Sequence, residues 1–249
     1  EFIRVSRTVL PNHVFLSACP ELTPLVERGD KSGSEYGSSN TTRVQLLGSN
    51  PELVALNAKK AAELGASAID LNFGCPAKTV NRSYGGARLL DETTLLHDIV
   101  KATRQQVPSN ILVTAKIRLG YDDRSSYLRN ALAIAEAGAD ELIVHARSKA
   151  DGYQPPAYWH YIYKIQQQLD IPVVANGEIW TLEDYIACRE QSGCDHVMLG
   201  RGLLARPDLG LAIKAYQRGE DYQYMAWPQI ATLALKLLRL TQAHYPAKH

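Results

Sequence analysis

Nowhere in the 249 residues is there a run of about 18 apolar side chains, the length that spans a bilayer, so the sequence predicts no membrane segment. The four cysteines, Cys19, Cys75, Cys188 and Cys194, form no Cys-x-x-Cys pair, and no His/Cys/Asp cluster has metal-ligand spacing. A chain this long buries a core without disulfide staples, so a metal-free, reducing and cytoplasmic context is expected. No Gly-x-Gly-x-x-Gly turn opens any helix, which argues against an open dinucleotide-binding sheet. Excess charge of either sign is lacking too: 27 Lys and Arg against 26 Asp and Glu leave a net charge of +1. Affinity for nucleic acid would therefore have to come from local clustering. Low-complexity tracts and short solenoid repeats are absent. The chain opens on Glu1-Phe-Ile-Arg-Val with neither a start methionine nor a signal-like segment, which reads as a chain beginning inside a domain.

What is present is an alternation. Short aliphatic runs at Phe2–Val5, Val44–Leu47, Ser67–Leu71, Leu112–Ile117, Glu141–Val144, Pro172–Ala175 and His196–Leu199 read as strands. Helical patterns at Pro51–Glu63, Glu92–Gln106, Ser125–Ala137, Pro156–Leu169, Thr181–Gln191 and Pro207–Arg218 follow them. Strands this short and apolar, separated by helices, predict βαβ units and a parallel sheet covered on both faces. Asn50 before Pro51 and Thr181 before acids read as N-caps. Gly65, Gly138 and Gly193 sit where left-handed C-caps are needed. Thr23–Thr42, rich in Ser, Gly, Asp and Asn, reads as an exposed mobile insertion. From Trp227 onward, Ile230, Leu233, Leu237 and Leu240 recur at helical spacing. The expected architecture is an α/β (β/α)8 TIM-type barrel over residues 1–226, lacking its first strand, with residues 227–249 starting a C-terminal helical domain.

A barrel collects its site from the C-terminal ends of several strands. Here nearly every strand end is polar: Gln45; Asn72 and Cys75; Lys116 and Arg118; His145; Asn176-Gly177-Glu178; Gly200-Arg201-Gly202. Lys116 and Arg118, two apart on one strand, share a face. An ammonium there can stabilise negative charge on a reduced flavin ring, and the glycines after the last two strands suit a phosphate. Gln45 can hydrogen-bond the edge of a flat heterocycle. Gly74 and Pro76 set Cys75 on a tight turn facing a pocket, whereas the other three cysteines read as small core residues. Glu183 and Asp184 read as first-turn acids. The Tyr158–Tyr163 patch reads as helix packing rather than RNA stacking.

These segments together resemble the tRNA-dihydrouridine synthases over nearly the whole chain. The likeness rests on Val44-Gln-Leu-Leu-Gly, on Asp70-Leu-Asn-Phe-Gly-Cys-Pro-Ala-Lys-Thr-Val-Asn and on Gly85-Gly-Ala-Arg-Leu-Leu. It continues through Lys116-Ile-Arg-Leu-Gly, His145-Ala-Arg-Ser-Lys, Asn176-Gly-Glu-Ile-Trp and Gly200-Arg-Gly. The last runs look most like the C subfamily, which acts on uridine 16 of the D-loop. The resemblance implies an enzyme using FMN, recharged by NADPH or NADH, to reduce uridine to 5,6-dihydrouridine in tRNA. It implies Cys75 as proton donor, with Gln45, Lys116, His145, Asn176, Gly177, Glu178, Gly200 and Arg201 at the FMN. Arg4, Asn72 and Arg118 match positions that touch the tRNA or its flipped uridine. A monomer is expected.

The sequence departs from the family pattern in three places. Nothing before Glu1 supplies the family's first strand and its flavin-covering loop. Only Trp227–His249 matches the helical tRNA-binding domain, and Ala146 and Ser148 stand where Gly and Thr are usual. Two other functions fit the same residues: a flavin barrel reducing a free pyrimidine, like the dihydroorotate or dihydropyrimidine dehydrogenases, and a tRNA-binding module without turnover. For an RNA substrate, Arg4, Lys78, Arg82, Arg88 and Arg118 are the expected local cluster of positive charge.

Overall fold

A computed structural model describes residues 2–22 and 42–244. The insertion read at Thr23–Thr42 lies, apart from Thr42 itself, outside the described residues. In chain order the elements begin with β1 (Ile3–Arg4), α1 (Asn12–Ala18), β2 (Arg43–Leu47), α2 (Pro51–Glu63), β3 (Ala68–Asn72) and α3 (Lys78–Asn81). They continue with α4 (Thr93–Gln106), β4 (Leu112–Arg118), α5 (Tyr127–Glu136), β5 (Glu141–His145), α6 (Trp159–Gln166) and β6 (Val173–Asn176). α7 (Leu182–Ser192), β7 (His196–Met198), α8 (Arg201–Ala205), α9 (Leu209–Gln217) and α10 (Trp227–His244) complete the described chain. It divides into two compact units: Glu1–Gly177 with Arg189–Met198, and Glu178–Cys188 with Leu199–His249.

The first unit holds a seven-stranded sheet, all parallel, in the order β1 to β7. This is the βα repeat of a TIM-type barrel with seven of its strands. Each strand falls within one residue of its expected ends. On one face, Val44, Leu46, Ile69, Leu71, Val113, Ala115, Ile117, Leu142 and Val144 are buried, as are Val54, Ala58, Leu96, Ile99 and Val100 of α2 and α4. Each Val, Leu and Ile among them contributes about 1.5–3 kcal/mol on leaving water.

The opposite face decides what the protein can do. Register pairs Gln45 with Asp70 and Asp70 with Thr114, then Asn72 with Lys116, Arg118 with His145, and His145 with Asn176. Side chains alternate along a strand, so these polar groups share one face in successive layers. The expected caps form, although α6 begins and ends three residues inside the helix expected at Pro156–Leu169. The Asn50 side chain accepts from Leu53 N at 2.9 Å. Asp184 accepts from Thr181 N at 3.0 Å while the Thr181 hydroxyl accepts from Asp184 N at 3.1 Å, a reciprocal cap. Gly65, Gly138 and Gly193 all have φ in the left-handed region.

In the second unit, Asp208 accepts from Met225 N at 2.7 Å and pairs with Arg206 at 3.2 Å, tying the approach to α10 back to α9. α10 buries Ile230 and exposes Leu233, Leu235, Leu237, Leu238 and Leu240. Among the described residues, no helix is long and apolar enough to cross a membrane.

Candidate active site

Cys75 sits on a turn that is held at nearly every polar atom. Where β3 ends, Asn72 Oδ1 accepts from Gly74 N at 3.0 Å and from Cys75 N at 2.9 Å, curling the chain directly after the strand. The Cys75 carbonyl accepts from Ala87 N at 3.0 Å and from Asn81 Nδ2 at 3.1 Å. Arg118 Nε donates to Gly74 O at 2.9 Å. Gly86, at φ +61, passes so close that a Cβ there would lie 2.9 Å from that of Cys75. Cys75 is half-buried, whereas Cys19, Cys188 and Cys194 are buried, as their expected packing role requires.

Beneath the turn lies a chain of side-chain hydrogen bonds. Asn72 Nδ2 donates to Gln45 Oε1 at 2.8 Å, and Gln45 Nε2 donates to Asp70 Oδ2 at 2.5 Å. Thr114 Oγ1 donates to Asp70 Oδ1 at 2.6 Å. Burial raises the Asp70 pKa above the usual carboxylate range, opposed by the Thr114 and Gln45 hydrogen bonds and by the positive charges of Lys116 and Arg43.

Further along the same face, Lys116 Nζ donates to Asn176 Oδ1 at 2.9 Å, and Asn176 Nδ2 donates to Met198 O at 2.8 Å. Burial lowers the Lys116 pKa to about 8; Asp70 works against that shift and Arg118 adds to it. His145 is 7% exposed, and a Cβ on Gly177 would strike its Cδ2 at 2.7 Å. Trp159, in the expected helix-packing patch, is buried and donates from Nε1 to Gly177 O at 3.0 Å. The ammonium, two amides and an imidazole on one face match the edge of a flavin: a positive donor for its carbonyl and amide partners for its ring nitrogens. The donor set fits that group.

Arg118 and Arg4 take different places. Arg118, expected on an open rim, is 2% exposed, and its Nη1 donates to Gly152 O at 2.9 Å and Ser148 O at 3.2 Å. Its guanidinium also lies 5.1 Å from the Tyr153 ring centre. Arg118 therefore joins the Cys75 turn to the loop after β5. Arg4 is exposed and donates to Ser83 Oγ at 2.8 Å, on the segment following Cys75. Beside that segment opens a cavity of about 400 Å³ lined by Lys78, Asn81, Arg82, Tyr84, Arg88, Tyr121 and Lys149. Lys149 lies 4.4 Å and Arg88 5.1 Å from the Tyr121 ring centre, and Arg88 pairs with Asp91 at 2.8 Å. Tyr84 holds φ at +52, rare for a residue with a side chain.

Within the second unit, Glu178 also holds a positive φ, +59. Its Oε1 accepts from Trp180 Nε1 at 3.1 Å, and its Oε2 lies 4.0 Å from Arg201 Nη2. Arg201 stands 5.0 Å from the Trp180 ring centre, and a Cβ on Gly200 would meet open space. The space beside Gly200 and the half-exposed guanidinium of Arg201 suit a phosphate.

Comparison with known proteins decides the family. The dihydrouridine synthase (Dus) family matches residues 1–249. The chain belongs to the dihydrouridine synthase family. It is 51% identical over 98% of its length to the tRNA-dihydrouridine(16) synthase of Pseudomonas putida, spanning 73% of that protein. To the enzyme of the same name from Shewanella oneidensis it is 54% identical over 86% of its length, spanning 65% of that protein. The solved 6-hydroxypseudooxynicotine amine oxidase of Pseudomonas geniculata N1 shares the fold, with TM-score 0.50, at 16% identity over 66% of this chain and 28% of that one.

For this dihydrouridine synthase chain, Asn72, Cys75, Arg118, His145, Asn176 and Gly177 lie at or just past strand ends of the first unit, while Gln45 and Lys116 lie two residues inside β2 and β4. Glu178, Gly200 and Arg201 lie in the second. The sequence reading missed Asp70 and Thr114, which share a layer with Gln45. Their signal was present, since Asp70 stands two residues before Asn72 on one strand and so shares its face. Tyr121 and Lys149 were missed because they reach the cavity from loops after β4 and β5, where no periodicity marks direction.

Proposed function

We propose that this protein reduces uridine to 5,6-dihydrouridine in tRNA, at position 16 of the D-loop, as a flavoprotein. The support is the Cys75 turn: a half-buried thiol whose backbone is held by Asn72 and Arg118, past the end of a strand whose sheet face also carries Lys116 and the amides of Gln45 and Asn176. Within the first unit, Gln45, Lys116, His145, Asn176 and Gly177 would hold the ring side of FMN; within the second, Gly200 and Arg201 have the chemistry to take a phosphate, and Glu178 would offer it a backbone N–H rather than its carboxylate. FMN held there would supply hydride chemistry for C6 of the uracil and would draw its electrons from NADPH or NADH. Cys75 gives its proton to C5, so the ring gains one hydride and one proton across the double bond. Asn72, held by Gln45, keeps the thiol aimed while the target uridine leaves its stack to reach it. Lys116 stabilises negative charge at the ring edge, and Arg118 fixes the loop after β5 over the Cys75 turn. The enzyme acts as a monomer in the cytoplasm and needs no metal.

The cation-lined cavity next to the Cys75 segment favours an RNA substrate over a free pyrimidine. A lone base needs neither four cations nor two tyrosine rings beyond its own site, whereas a strand of phosphates and bases uses both. Turnover of transcript tRNA against free uracil tests the choice. Dihydrouridine formed in tRNA with none from uracil is expected. Reduction of uracil alone would overturn the proposal in favour of a pyrimidine dehydrogenase. Absence of the yellow flavin absorbance would favour a binding module.

A further inference from the structure

Asp70 is 4% exposed, yet neither flavin binding nor RNA binding calls for it. Both its oxygens are engaged inside the protein, Oδ1 by the Thr114 hydroxyl at 2.6 Å and Oδ2 by Gln45 Nε2 at 2.5 Å. A carboxamide has one donating end and one accepting end. Because Asp70 Oδ2 accepts, Gln45 must turn its nitrogen toward Asp70 and its oxygen away. That oxygen accepts from Asn72 Nδ2 at 2.8 Å, which leaves Asn72 Oδ1 for the amides of Gly74 and Cys75 at 3.0 and 2.9 Å. The orientation of each amide thus follows from the one before it. A flip at Gln45 would set nitrogen against nitrogen at Asn72 and oxygen against oxygen at Asp70. Either arrangement leaves buried polar groups unsatisfied, the costly side of hydrogen-bond energetics.

We infer that Asp70 is a positioning residue for the Cys75 thiol, acting through the fixed amide orientations of Gln45 and Asn72; its part in catalysis rests on Cys75 being the proton donor. The property that matters is the acceptor at Oδ2, not the negative charge. Asparagine can supply that acceptor, with its amide nitrogen facing Thr114 Oγ1 and the threonine hydroxyl turned to Ile69 O, 3.4 Å away. Alanine cannot.

The two substitutions therefore separate the relay from a simple counter-charge to Lys116. Cys75 is the accessible thiol of the described residues, so its alkylation by iodoacetamide, read by mass spectrometry on the folded chain, reports the turn directly. Asp70→Ala should be labelled roughly fivefold faster than wild type, the shift that loss of one ordinary hydrogen bond allows. Asp70→Asn should label at close to the wild-type rate. Equal rates for Asp70→Ala and wild type would overturn the relay, and so would Asp70→Asn labelling as fast as Asp70→Ala. Should Asp70→Ala fail to fold, Gln45→Met removes the amide that joins Asp70 Oδ2 to Asn72 with little change in volume. It should label faster than wild type, and an unchanged rate would overturn the relay equally. In turnover, Asp70→Ala should lower kcat with KM for tRNA unchanged, and Asp70→Asn should restore it; a changed KM with full kcat would overturn the positioning role. Labelling needs neither flavin nor RNA, so it decides the role of Asp70 even where the wild type fails to reduce tRNA.

Discussion

Lys116 and Asn176, on β4 and β6, meet across the intervening strand at 2.9 Å, with the ammonium donating to Oδ1. The same burial that makes this contact firm lowers the Lys116 pKa to about 8. Below pH 8 the lysine is protonated in native and unfolded chains alike, and the native state bears the full burden of a buried charge. Between pH 8 and the ordinary lysine range the native state has lost its proton while the unfolded chain keeps it. The unfolded state then binds more protons, so this group's contribution to stability rises with pH. Lys116→Met should be more stable than wild type at pH 7 without flavin, the gap narrowing between pH 8 and 10. Denaturant titrations across that range measure it. A gap that stays constant with pH would contradict the shift.

Cys75→Ala should leave the turn intact, since the hydrogen bonds that hold it use backbone atoms and the side chains of Asn72, Asn81 and Arg118. Flavin absorbance should be unchanged, while dihydrouridine formation falls by about 10²-fold or more, the usual scale for losing a general acid. Full activity in this variant would remove Cys75 from the proton-donor role.

Much of this arrangement is legible in the sequence. Aliphatic runs at β2, β4 and β5 announce themselves because parallel strands are buried on both faces. His145 and Asn176 close their strands and Gln45 and Lys116 interrupt theirs two residues before the end, so each stands out against that background and the pattern alone points to all four. Two kinds of information are not in the pattern. Arg118 ends a strand like the others, but its partners are carbonyls of Gly74 and Gly152, and backbone acceptors leave no trace in residue type. The short helix α3 and the 3-10 turn Gly86–Asp91 also escape it, because four- and six-residue segments are too brief to show a helical period.

Gly177 has φ +113, and a side chain there would meet His145 at 2.7 Å. Gly177→Ala therefore faces both a strained backbone and a displaced imidazole. It should cost about 1–3 kcal/mol of stability. Flavin affinity should fall further than stability alone explains, because His145 is on the face proposed for the ring. Thermal melts with and without added FMN separate the two effects. Equal losses in both would place the whole effect in the backbone.

Lys78, Arg82 and Lys149 line the cavity beside the Cys75 segment, while Arg88, on the same wall, is already paired with Asp91. Phosphates bound there should appear as salt dependence. Replacing Lys78, Arg82 or Lys149 with alanine should flatten the slope of log K against log salt by about 0.7–0.9 for each phosphate that is no longer neutralised. Arg88→Ala should flatten it less, because Asp91 already offsets its charge. Arg4→Ala should lower turnover more than it changes the slope, since its guanidinium bonds Ser83 on the Cys75 segment. Arg118, buried against carbonyls, should leave the slope unchanged when replaced by lysine and instead alter the reactivity of Cys75. Filter-binding titrations of tRNA at several salt concentrations resolve these differences. A slope that is the same in the Lys78, Arg82 and Lys149 variants as in wild type would move the RNA path away from this cavity.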